Sequence, residues 1–510
     1  MQVVIPMSGR GERYRRAGFA EIKPLIHVDG RPMIAHVLDM FPGARRTLCI
    51  CAQDHLQTTP LASVIRSLRP DAEIAGIEPH KQGPVHAVLA AHDQIADDEP
   101  VLISYCDFTT SWSFDAFKKH VAHTRCAGAI TAYRGFHPHS LGPNLYAYMR
   151  EHDGMMLEIR EKGCFTDDRM HEYASAGSYY FASGALMKRT FARAVELGLA
   201  TNGEYYCSTP YNLLVRDGLP VSIYELDDFV QLGTPEDLRE YQQWSDFFAR
   251  RGAFRPELPI QAGATLVPAA GDGRRFRVRG YLAAKPLIEI DGQTMLERSL
   301  STLPATEQCV LLARAEVLEA PALQRISAFQ TVLVEKPTQG QASTCLLAES
   351  SVDGSSPLLI APCDASTVFE AQRWAELVQD TAIDCVVWCF RDHPHANRNP
   401  KQYGWVETSA AGRVQSVSCK RALHDDVRED LGIIGIFWFR RAQVFFDLAR
   451  RLVAENRRVN GEFYVDSVLQ LAVERGLDVR AFCVEHYICF GTPDDVMTYE
   501  YWRKHFAVSA

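Results

Sequence analysis

Short apolar runs alternate with amphipathic segments along the whole chain, and this alternation predicts strands connected by helices. The run VVIPM at 3–7 is followed by MIAHVLDMF at 33–41, whose apolar residues recur at helical spacing, and then by TLCICA at 47–52. Later, VLISYCDF at 101–108 precedes the amphipathic FDAFKKHVAHT at 114–124. Strands that are apolar throughout are typical of parallel sheets. The order therefore predicts a layered α/β fold with a mostly parallel central sheet.

The same pattern occurs twice. Five residues of the first half, a set that combines glycines with basic residues and a proline, recur 262 residues later: Gly9, Gly11, Arg13, Lys23 and Pro24 return as Gly271, Gly273, Arg275, Lys285 and Pro286. Further along, at a spacing of 257, Gln82, Gly83 and Asp107 return as Gln339, Gly340 and Asp364. NGEYY from 202 and LGTPEDL from 232 return as NGEFY from 460 and FGTPDDV from 490. These matches predict a tandem duplication.

The boundary between the copies is predicted from helix and linker signals. Thr234 is a candidate N-cap, with Pro235 at the first helical position and acidic residues in the first turn. After that helix, GAFRPELPIQA at 252–262 carries two prolines and no periodicity. The predicted organisation is an N-terminal domain at 1–251, a linker at 252–263 and a C-terminal domain at 264–510.

Composition narrows the class of protein. The 510 residues are 47% hydrophobic and carry a formal net charge of -9, so the basic stripe of a nucleic-acid-binding protein is not expected. Neither a signal-peptide order nor an apolar run of roughly 20 residues is found, which favours a cytoplasmic protein without a membrane partner. The 14 cysteines show no CxxC pair and are expected to pack as small apolar residues.

The first glycine loop, SGRGERY at 8–14, predicts a phosphate site. A loop of this kind after a strand exposes backbone N–H groups to an anion, and an Arg and a Lys then place two cations over it. A dinucleotide fingerprint would need a third glycine near Tyr14 or Phe276, and a Walker loop would need Gly-Lys-Ser/Thr. Neither is present in either copy.

The G-x-G-x-R loop followed by Lys-Pro resembles the signature of the sugar-phosphate nucleotidylyltransferases, or pyrophosphorylases, over nearly all of each half. The resemblance implies two Rossmann-like nucleotidyltransferase domains that transfer a nucleotidyl group from a nucleoside triphosphate to a sugar or polyol phosphate and release pyrophosphate. It also implies a cytoplasmic role in making precursors of bacterial surface polysaccharide. A homo-oligomer is left open.

The resemblance also implies roles for single residues. Gly9, Gly11, Arg13 and Lys23 would hold the triphosphate, Gln82 and Gly83 the base, Asp107 a Mg²⁺ ion and Lys162 the acceptor phosphate. The second copy offers Gly271, Gly273, Arg275, Lys285, Gln339, Gly340, Asp364 and Lys420. At the position of the family's second metal-binding Asp the chain has Gln231 and Cys489. Because an amide oxygen suits Mg²⁺ and a thiol does not, the first half is expected to be the better catalyst.

Two other hypotheses about function stay open. The first is a glycosyltransferase that uses a nucleotide-sugar. Such an enzyme would ordinarily have two acidic residues at the end of the metal-binding strand, where CDF and CDA each have one. The second is that one half only binds ligands or acts as a scaffold, and Cys489 favours it.

The HPH segments at 137–139 and 393–395 either contact substrate or metal, or are loop histidines whose hydrogen bonds are satisfied. Glu204 and Glu462 either orient a hydroxyl group or begin a helix.

Overall fold

The protein is described by a computed structural model that covers residues 1–249, 258–325 and 329–508. The chain divides into two compact units, Met1–Ser245 with the residues from His505 onward, and Asp246–Lys504. Residues 252–257 of the predicted linker lie outside the described residues, and a strand already begins at Gln261. The domain boundaries at 251 and 264 stay a prediction.

The first half contains thirteen strands and nine helices among its described residues. The strands are β1 Gln2–Met7, β2 His27–Val28, β3 Arg31–Pro32, β4 Arg46–Ala52, β5 Glu73–Ile77, β6 Val101–Ser104, β7 Phe108–Thr109, β8 Gly128–Tyr133, β9 Tyr148–His152, β10 Met155–Arg160, β11 Tyr173–Phe181, β12 Val221–Glu225 and β13 Val230–Gln231. The helices are α1 Glu12–Arg16, α2 Met33–Asp39, α3 Gln53–Thr58, α4 Leu61–Leu68, α5 Pro84–Ala90, α6 Phe114–Thr124, α7 Gly184–Glu196, α8 Tyr211–Arg216 and α9 Pro235–Ala249.

The second half repeats this order. Its described strands are β14 Gln261–Pro268, β15 Glu289–Ile290, β16 Gln293–Thr294, β17 Thr306–Ala313, β18 Gln330–Leu333, β19 Leu358–Ile360, β20 Ala365–Val368, β21 Cys385–Phe390, β22 Trp405–Thr408, β23 Val414–Ser418, β24 Leu431–Phe439, β25 Val479–Cys483 and β26 His486–Cys489. Its described helices are α10 Arg274–Val278, α11 Met295–Ser301, α12 Ala315–Leu318, α13 Gln341–Leu346, α14 Ala371–Gln379, α15 Pro394–Arg398, α16 Ala442–Ala454, α17 Val465–Glu474 and α18 Pro493–Val508.

Each half has one large central sheet with the same strand order. In the first it is β5-β4-β1-β6-β11-β8-β12-β10-β9, and in the second β18-β17-β14-β19-β24-β21-β25 with β22 and β23 beside it. β5, β4, β1 and β6 run parallel, β8 and β12 run parallel, and β11 joins these two groups antiparallel to both β6 and β8. The prediction of an α/β fold with a sheet rich in parallel strands is confirmed.

The cores lie on both faces of these sheets. Val3 and Ile5 of β1 belong to one apolar cluster and Val4 to another, because successive side chains of a strand point to opposite faces. All six residues of β1 are buried. This double burial explains why the strand is apolar throughout. No helix in the described ranges combines the length and apolarity that crossing a membrane would need.

The predicted helix start at Thr234 is confirmed, and its counterpart behaves alike. The backbone N–H of Asp237 donates to Thr234 Oγ1 at 3.1 Å, and the N–H of Thr234 donates back to Asp237 Oδ2 at 3.1 Å. Thr492 and Asp495 make the same reciprocal pair at 2.8 and 3.2 Å. These capping boxes fix the turns that carry Gly233 and Gly491.

The start of α5 contacts another part of the backbone so closely that only glycine fits. The N–H of Tyr205 donates to Gln82 O at 2.8 Å, and the N–H of Val85 donates to Tyr205 O at 3.1 Å. Gly83 has φ +89°, and a Cβ placed there would lie 2.8 Å from both N and O of Tyr205. In the second half a Cβ at Gly340 would lie 2.5 Å from Phe463 O. The glycines of both Gln-Gly pairs are therefore required by packing.

We predict that Gly83→Ala destabilises the protein by about 1–3 kcal/mol more than Gly18→Ala, on the scale of overpacking a close contact. Gly18 is a matched control, because its φ is +90° but nothing lies within 4 Å of its Cβ position. Both variants place an alanine at a φ near +90°, and only Gly83→Ala adds the clash with Tyr205. Urea unfolding of both variants gives the difference, and equal unfolding curves would contradict the packing argument.

Candidate active site

The predicted triphosphate loop and the predicted metal ligand meet at one edge of the sheet. The glycine loop follows the carboxyl end of β1, and Asp107 follows the carboxyl end of β6. β1 and β6 are adjacent and parallel, so both ends lie at the same edge, where α/β sheets place their ligand sites. β14 and β19 bring Gly271 and Asp364 together in the same way.

A partly buried ion pair closes this edge. Lys23 Nζ donates to Asp107 Oδ2 at 2.6 Å and also reaches the carbonyl of Gly233 at 3.3 Å. The two side chains are only 16% and 26% exposed. A carboxylate and an ammonium group withdrawn from water need each other, and removing either would leave an unpaired charge. The sequence prediction that Lys23 and Asp107 belong to one site is consistent with this contact.

Tyr14 connects the first glycine loop to the turn around Gly233, and the sequence did not predict this role. Its hydroxyl donates to the carbonyls of Leu232 and Thr234 at 2.7 and 2.9 Å, and the ring is 1% exposed. The Lys23 ammonium lies 5.6 Å from the ring centroid. Phe276 replaces this tyrosine in the second half and keeps the cation contact with Lys285 at 5.7 Å, without the hydroxyl.

A small antiparallel sheet of two strands brings Gln231 beside Asp107. β13 pairs with β7 so that Gln231 lies opposite Phe108, and the N–H of Leu232 donates to Asp107 O at 2.8 Å. Gln231 and Asp107 both approach Gly233, since a Cβ there would lie 2.3 Å from Gln231 Nε2 and 3.4 Å from Asp107 Oδ2. Among the described residues, no group of three or more His, Cys, Asp or Glu side chains could hold a metal by itself. If Asp107 and Gln231 supply one carboxylate and one amide ligand, substrate phosphates and water would fill most of the coordination sphere of a Mg²⁺ ion. This is a usual arrangement for that ion.

Two clefts meet at Asp107. The larger, of about 430 Å³, contains the glycine loop and Lys23, and the smaller, of about 150 Å³, contains Lys162 and Gln231. Five residues line both: Arg13, Tyr105, Asp107, Tyr206 and Gly233. Arg13 is exposed at this junction and makes no ion pair within the described ranges. The arrangement can hold two ligands with their reacting ends at Asp107.

Lys162 lies in a strained backbone conformation that its counterpart repeats. Both Lys162 and Lys420 have φ +56°, a region that long side chains rarely adopt. Lys162 Nζ donates to the hydroxyl of Tyr206 at 2.8 Å, and this hydroxyl donates to the Glu204 carboxylate. Strain of this kind persists where the surrounding structure imposes it, often at functional sites. Its presence in both halves supports a role for the lysine side chain.

The second half builds the same centre with one change. Lys285 is paired with Asp364, and Lys285 Nζ reaches the carbonyl of Gly491 at 3.4 Å. Burial opposes the charge, but Asp364 beside it raises the pKa of Lys285. A single cleft of about 640 Å³ holds this pair, lined also by Gly271, Gly273, Arg275, Gly340, Lys420 and Cys489. Burial raises the pKa of the Cys489 thiol well above its usual value, so the group at the position of Gln231 is a neutral thiol.

The predicted base contacts are only partly at the cleft. Gly83 and Gly340 line it, but the side chain of Gln82 is exposed, and Gln339 Oε1 accepts a hydrogen bond from Arg458 at 2.6 Å. His80 and Lys81, directly before the Gln-Gly pair, line the larger cleft instead. All 14 cysteines are free, as expected of packing residues.

Comparisons with known proteins identify the domain family of each half. A family model described as the MobA-like NTP transferase domain matches residues 3–161 and 265–452, once in each half. The bifunctional protein GlmU of Staphylococcus epidermidis is 23% identical over 233 residues, which are 45% of this chain and 48% of that protein. GlmU of Halorhodospira halophila is 27% identical over 280 residues, 54% of either chain. The chain thus spans about half the length of these curated relatives.

Solved structures show distant likenesses. The nucleoside-diphosphate-sugar pyrophosphorylase from Vibrio cholerae is 18% identical with a TM-score of 0.38, covering 47% of this chain and 99% of that one. The inositol-1-phosphate CTP transferase from T. maritima is 18% identical with a TM-score of 0.37, covering 47% and 95%.

The two matched regions cover more than half of the chain and fall on the two copies that the repeated loops predicted. This confirms the predicted class, a tandem nucleotidyltransferase. The chain belongs to the MobA-like NTP transferase domain family.

Proposed function

We propose that the first half transfers a nucleotidyl group from a nucleoside triphosphate to a sugar phosphate or polyol phosphate and releases pyrophosphate. The observation that carries the proposal is the partly buried Lys23–Asp107 pair at the junction of two clefts. A triphosphate in the larger cleft and a phosphorylated acceptor in the smaller one would meet there. A role in precursors of bacterial surface polysaccharide, in the cytoplasm, is part of the proposal.

The triphosphate would be held by the glycine loop with two cations. The N–H groups of Gly9 and Gly11 would face its oxygens, and Arg13 would form a forked contact, for which its guanidinium is free. Lys23 would turn from Asp107 to a phosphate oxygen. Asp107 and the Gln231 amide oxygen would then hold Mg²⁺, which when bound neutralises charge on the departing pyrophosphate.

The acceptor would be held by Lys162. Its ammonium lies at the smaller cleft, oriented by Tyr206, and would meet the phosphate whose oxygen attacks the α-phosphorus. A phosphomonoester is already an anion at neutral pH, so this half needs no general base. Positioning and charge neutralisation supply the catalysis.

The second half keeps Arg275, Lys285, Asp364 and Lys420 but replaces Gln231 with the neutral thiol of Cys489. Of Asp364 and Cys489, only Asp364 would supply a ligand to a metal ion there, since a thiol is a poor ligand for Mg²⁺. We therefore propose the weaker metal site in the second half. A non-catalytic binding half is the second candidate that this substitution favours.

Substitution of each aspartate should separate the halves. We predict that Asp107→Asn and Asp364→Asn each remove roughly a hundredfold or more of the pyrophosphate release that depends on their own half, because the amide keeps the shape but loses the charge. Asp107→Asn should be the more damaging. Steady-state pyrophosphate release over a panel of sugars and polyols, each offered free and as its phosphate, measures both.

Asp115→Asn is the control for this pair, since Asp115 is exposed on α6 and bonds only Lys118. Unchanged activity in Asp107→Asn with every acceptor would remove the first half as the catalyst. Nucleotide-sugar consumption without pyrophosphate would favour a glycosyltransferase.

Loss of the Lys162 charge should affect one substrate. We predict that Lys162→Ala raises the KM for the acceptor phosphate roughly 10- to 100-fold, the worth of one hydrogen bond to a charged group, and changes the KM for the triphosphate little. Lys119→Ala, at an exposed position of α6, controls for the loss of a lysine. An equal rise in both constants would show that Lys162 does not distinguish the acceptor.

A further inference from the structure

The cleft of the second half contains a histidine–aspartate pair. His395 Nδ1 is hydrogen-bonded to Asp495 Oδ1, and the side chains are 14% and 6% exposed. Both residues line the cleft that holds Gly271, Lys285 and Asp364. Although burial opposes it, the contact with His395 lowers the pKa of Asp495 below its ordinary value. The carboxylate is therefore charged and fixes the imidazole through Nδ1.

This pair lies next to the centre of the cleft. A Cβ at Gly491 would have Cys489 Sγ at 3.3 Å, Asp364 Oδ2 at 3.5 Å and Asp495 Oδ2 at 3.8 Å. Asp495 Oδ1, the other carboxylate oxygen, is hydrogen-bonded to the imidazole of His395. His395 Nε2 is neither a buried atom nor bonded to another group in the described ranges, so it faces the open cleft.

The first half uses the corresponding histidine differently. His139 Nε2 is hydrogen-bonded to the hydroxyl of Tyr133 at 2.6 Å. The registers of the equivalent strands β8 and β21 make Phe390 the counterpart of Tyr133. Phenylalanine has no hydroxyl group. The absence of that hydroxyl in the second half is therefore one reason why His395 bonds the carboxylate of Asp495 instead.

The pair is not needed for the helix cap. Asp237, the counterpart of Asp495, completes its capping box with Thr234 alone. Thr492 supplies both corresponding donors to Asp495 Oδ2. A structural role in capping therefore leaves the imidazole unexplained.

We propose that His395 is a general base, and that the second half transfers a nucleotidyl group to a hydroxyl group instead of a phosphate. The proposal rests on the nucleotidyl transfer proposed above and assigns its acceptor class in this half. A hydroxyl must lose a proton to attack, whereas a phosphomonoester oxygen is already ionised at neutral pH. The retained Lys420, whose Nζ donates to the carbonyl of Gln402, would meet a separate anionic group of the acceptor.

The step balances without a further reactant. The acceptor oxygen forms a bond to the α-phosphorus, its proton moves to His395 Nε2, and the bond from the α-phosphorus to the bridging oxygen of pyrophosphate breaks. The products are a nucleotidyl ester of the hydroxyl compound and pyrophosphate. His395 then releases its proton to water.

Four other ionisable groups lie near His395. Burial lowers the pKa of His393 to about 3, and burial raises that of Tyr403, whose ring centroid lies 6.1 Å from that of His395. Cys489 is held neutral by burial, and Asp495 is held ionised. A general base must be unprotonated to act, so its removal should change the pH–rate profile.

The test offers each acceptor in two forms to the full chain. Sugars, polyols and hydroxy acids are supplied free and as their phosphomonoesters, with the four nucleoside triphosphates and Mg²⁺. Pyrophosphate release is assigned to the second half by its loss in Asp364→Asn and to the first by its loss in Asp107→Asn. His395→Gln, and His395→Ala with and without added imidazole, are compared with wild type, and triphosphate binding is checked by thermal shift.

His424→Gln is the matched control, because His424 forms a similar pair with Asp430 at 2.9 Å but is 73% exposed and does not line the cleft. We expect Asp364-dependent release with free hydroxyl acceptors, a loss of roughly a hundredfold or more in His395→Gln with the acid limb of the profile gone, and rescue of His395→Ala by imidazole. His424→Gln should match wild type.

Asp364-dependent release with phosphomonoesters alone, unchanged in His395→Gln, would overturn the proposal, as would the absence of any Asp364-dependent release with hydroxyl acceptors. Asp107-dependent release with phosphomonoesters is a separate readout. Its absence would count against the function proposed for the first half and not against His395.

Discussion

The site depends on a lysine and an aspartate that are held together in a partly buried ion pair. Lys23 and Asp107 lie 84 residues apart in the chain, and each is the neutralising partner of the other. A pair of this kind contributes little net stability, because desolvation offsets the attraction, but losing one partner is costly. It would also keep two charges in place for the proposed exchange, in which a phosphate takes the place of Asp107 at the lysine and a cation takes the place of Lys23 at the aspartate. The same pair in the second half indicates that this constraint has been kept in both copies.

The sheet topology explains why the pair can form twice. Adjacent parallel strands end at one edge, so the loop after the first strand and the aspartate after its neighbour meet without any long-range design. Around this fixed geometry the copies have diverged. Gln231 and Tyr14 have become Cys489 and Phe276, and Tyr133 corresponds to Phe390, which changes the partner of a histidine. The centre proposed to hold phosphate is constant, whereas the groups proposed to face the acceptor vary.

The sequence predicted what lies at strand ends and recurs at a fixed spacing. The glycine loops, Lys23, Asp107 and the cap at Thr234 could be found because each follows an apolar run or begins a helix, and because the duplication supplied an internal comparison. The contacts of Tyr14 with Leu232 and Thr234, and of His395 with Asp495, join residues 100 to 220 positions apart. No periodicity marks such pairs. The exposed side chain of Gln82 could not be predicted for the same reason. The Gln-Gly pair recurs in both halves, but the packing on Tyr205 requires only Gly83 and does not bring the Gln82 side chain to the cleft.

The central claim is that the Lys23–Asp107 pair opens to receive a triphosphate and a metal ion. The most direct measurement is the distance from Lys23 Nζ to Asp107 Oδ2 in crystals grown with a non-hydrolysable nucleoside triphosphate and Mg²⁺, compared with 2.6 Å in the structure described above. The account predicts that the two atoms separate beyond hydrogen-bonding distance, with Lys23 on a phosphate oxygen and the metal ion on Asp107. An intact pair with the triphosphate bound elsewhere would contradict it.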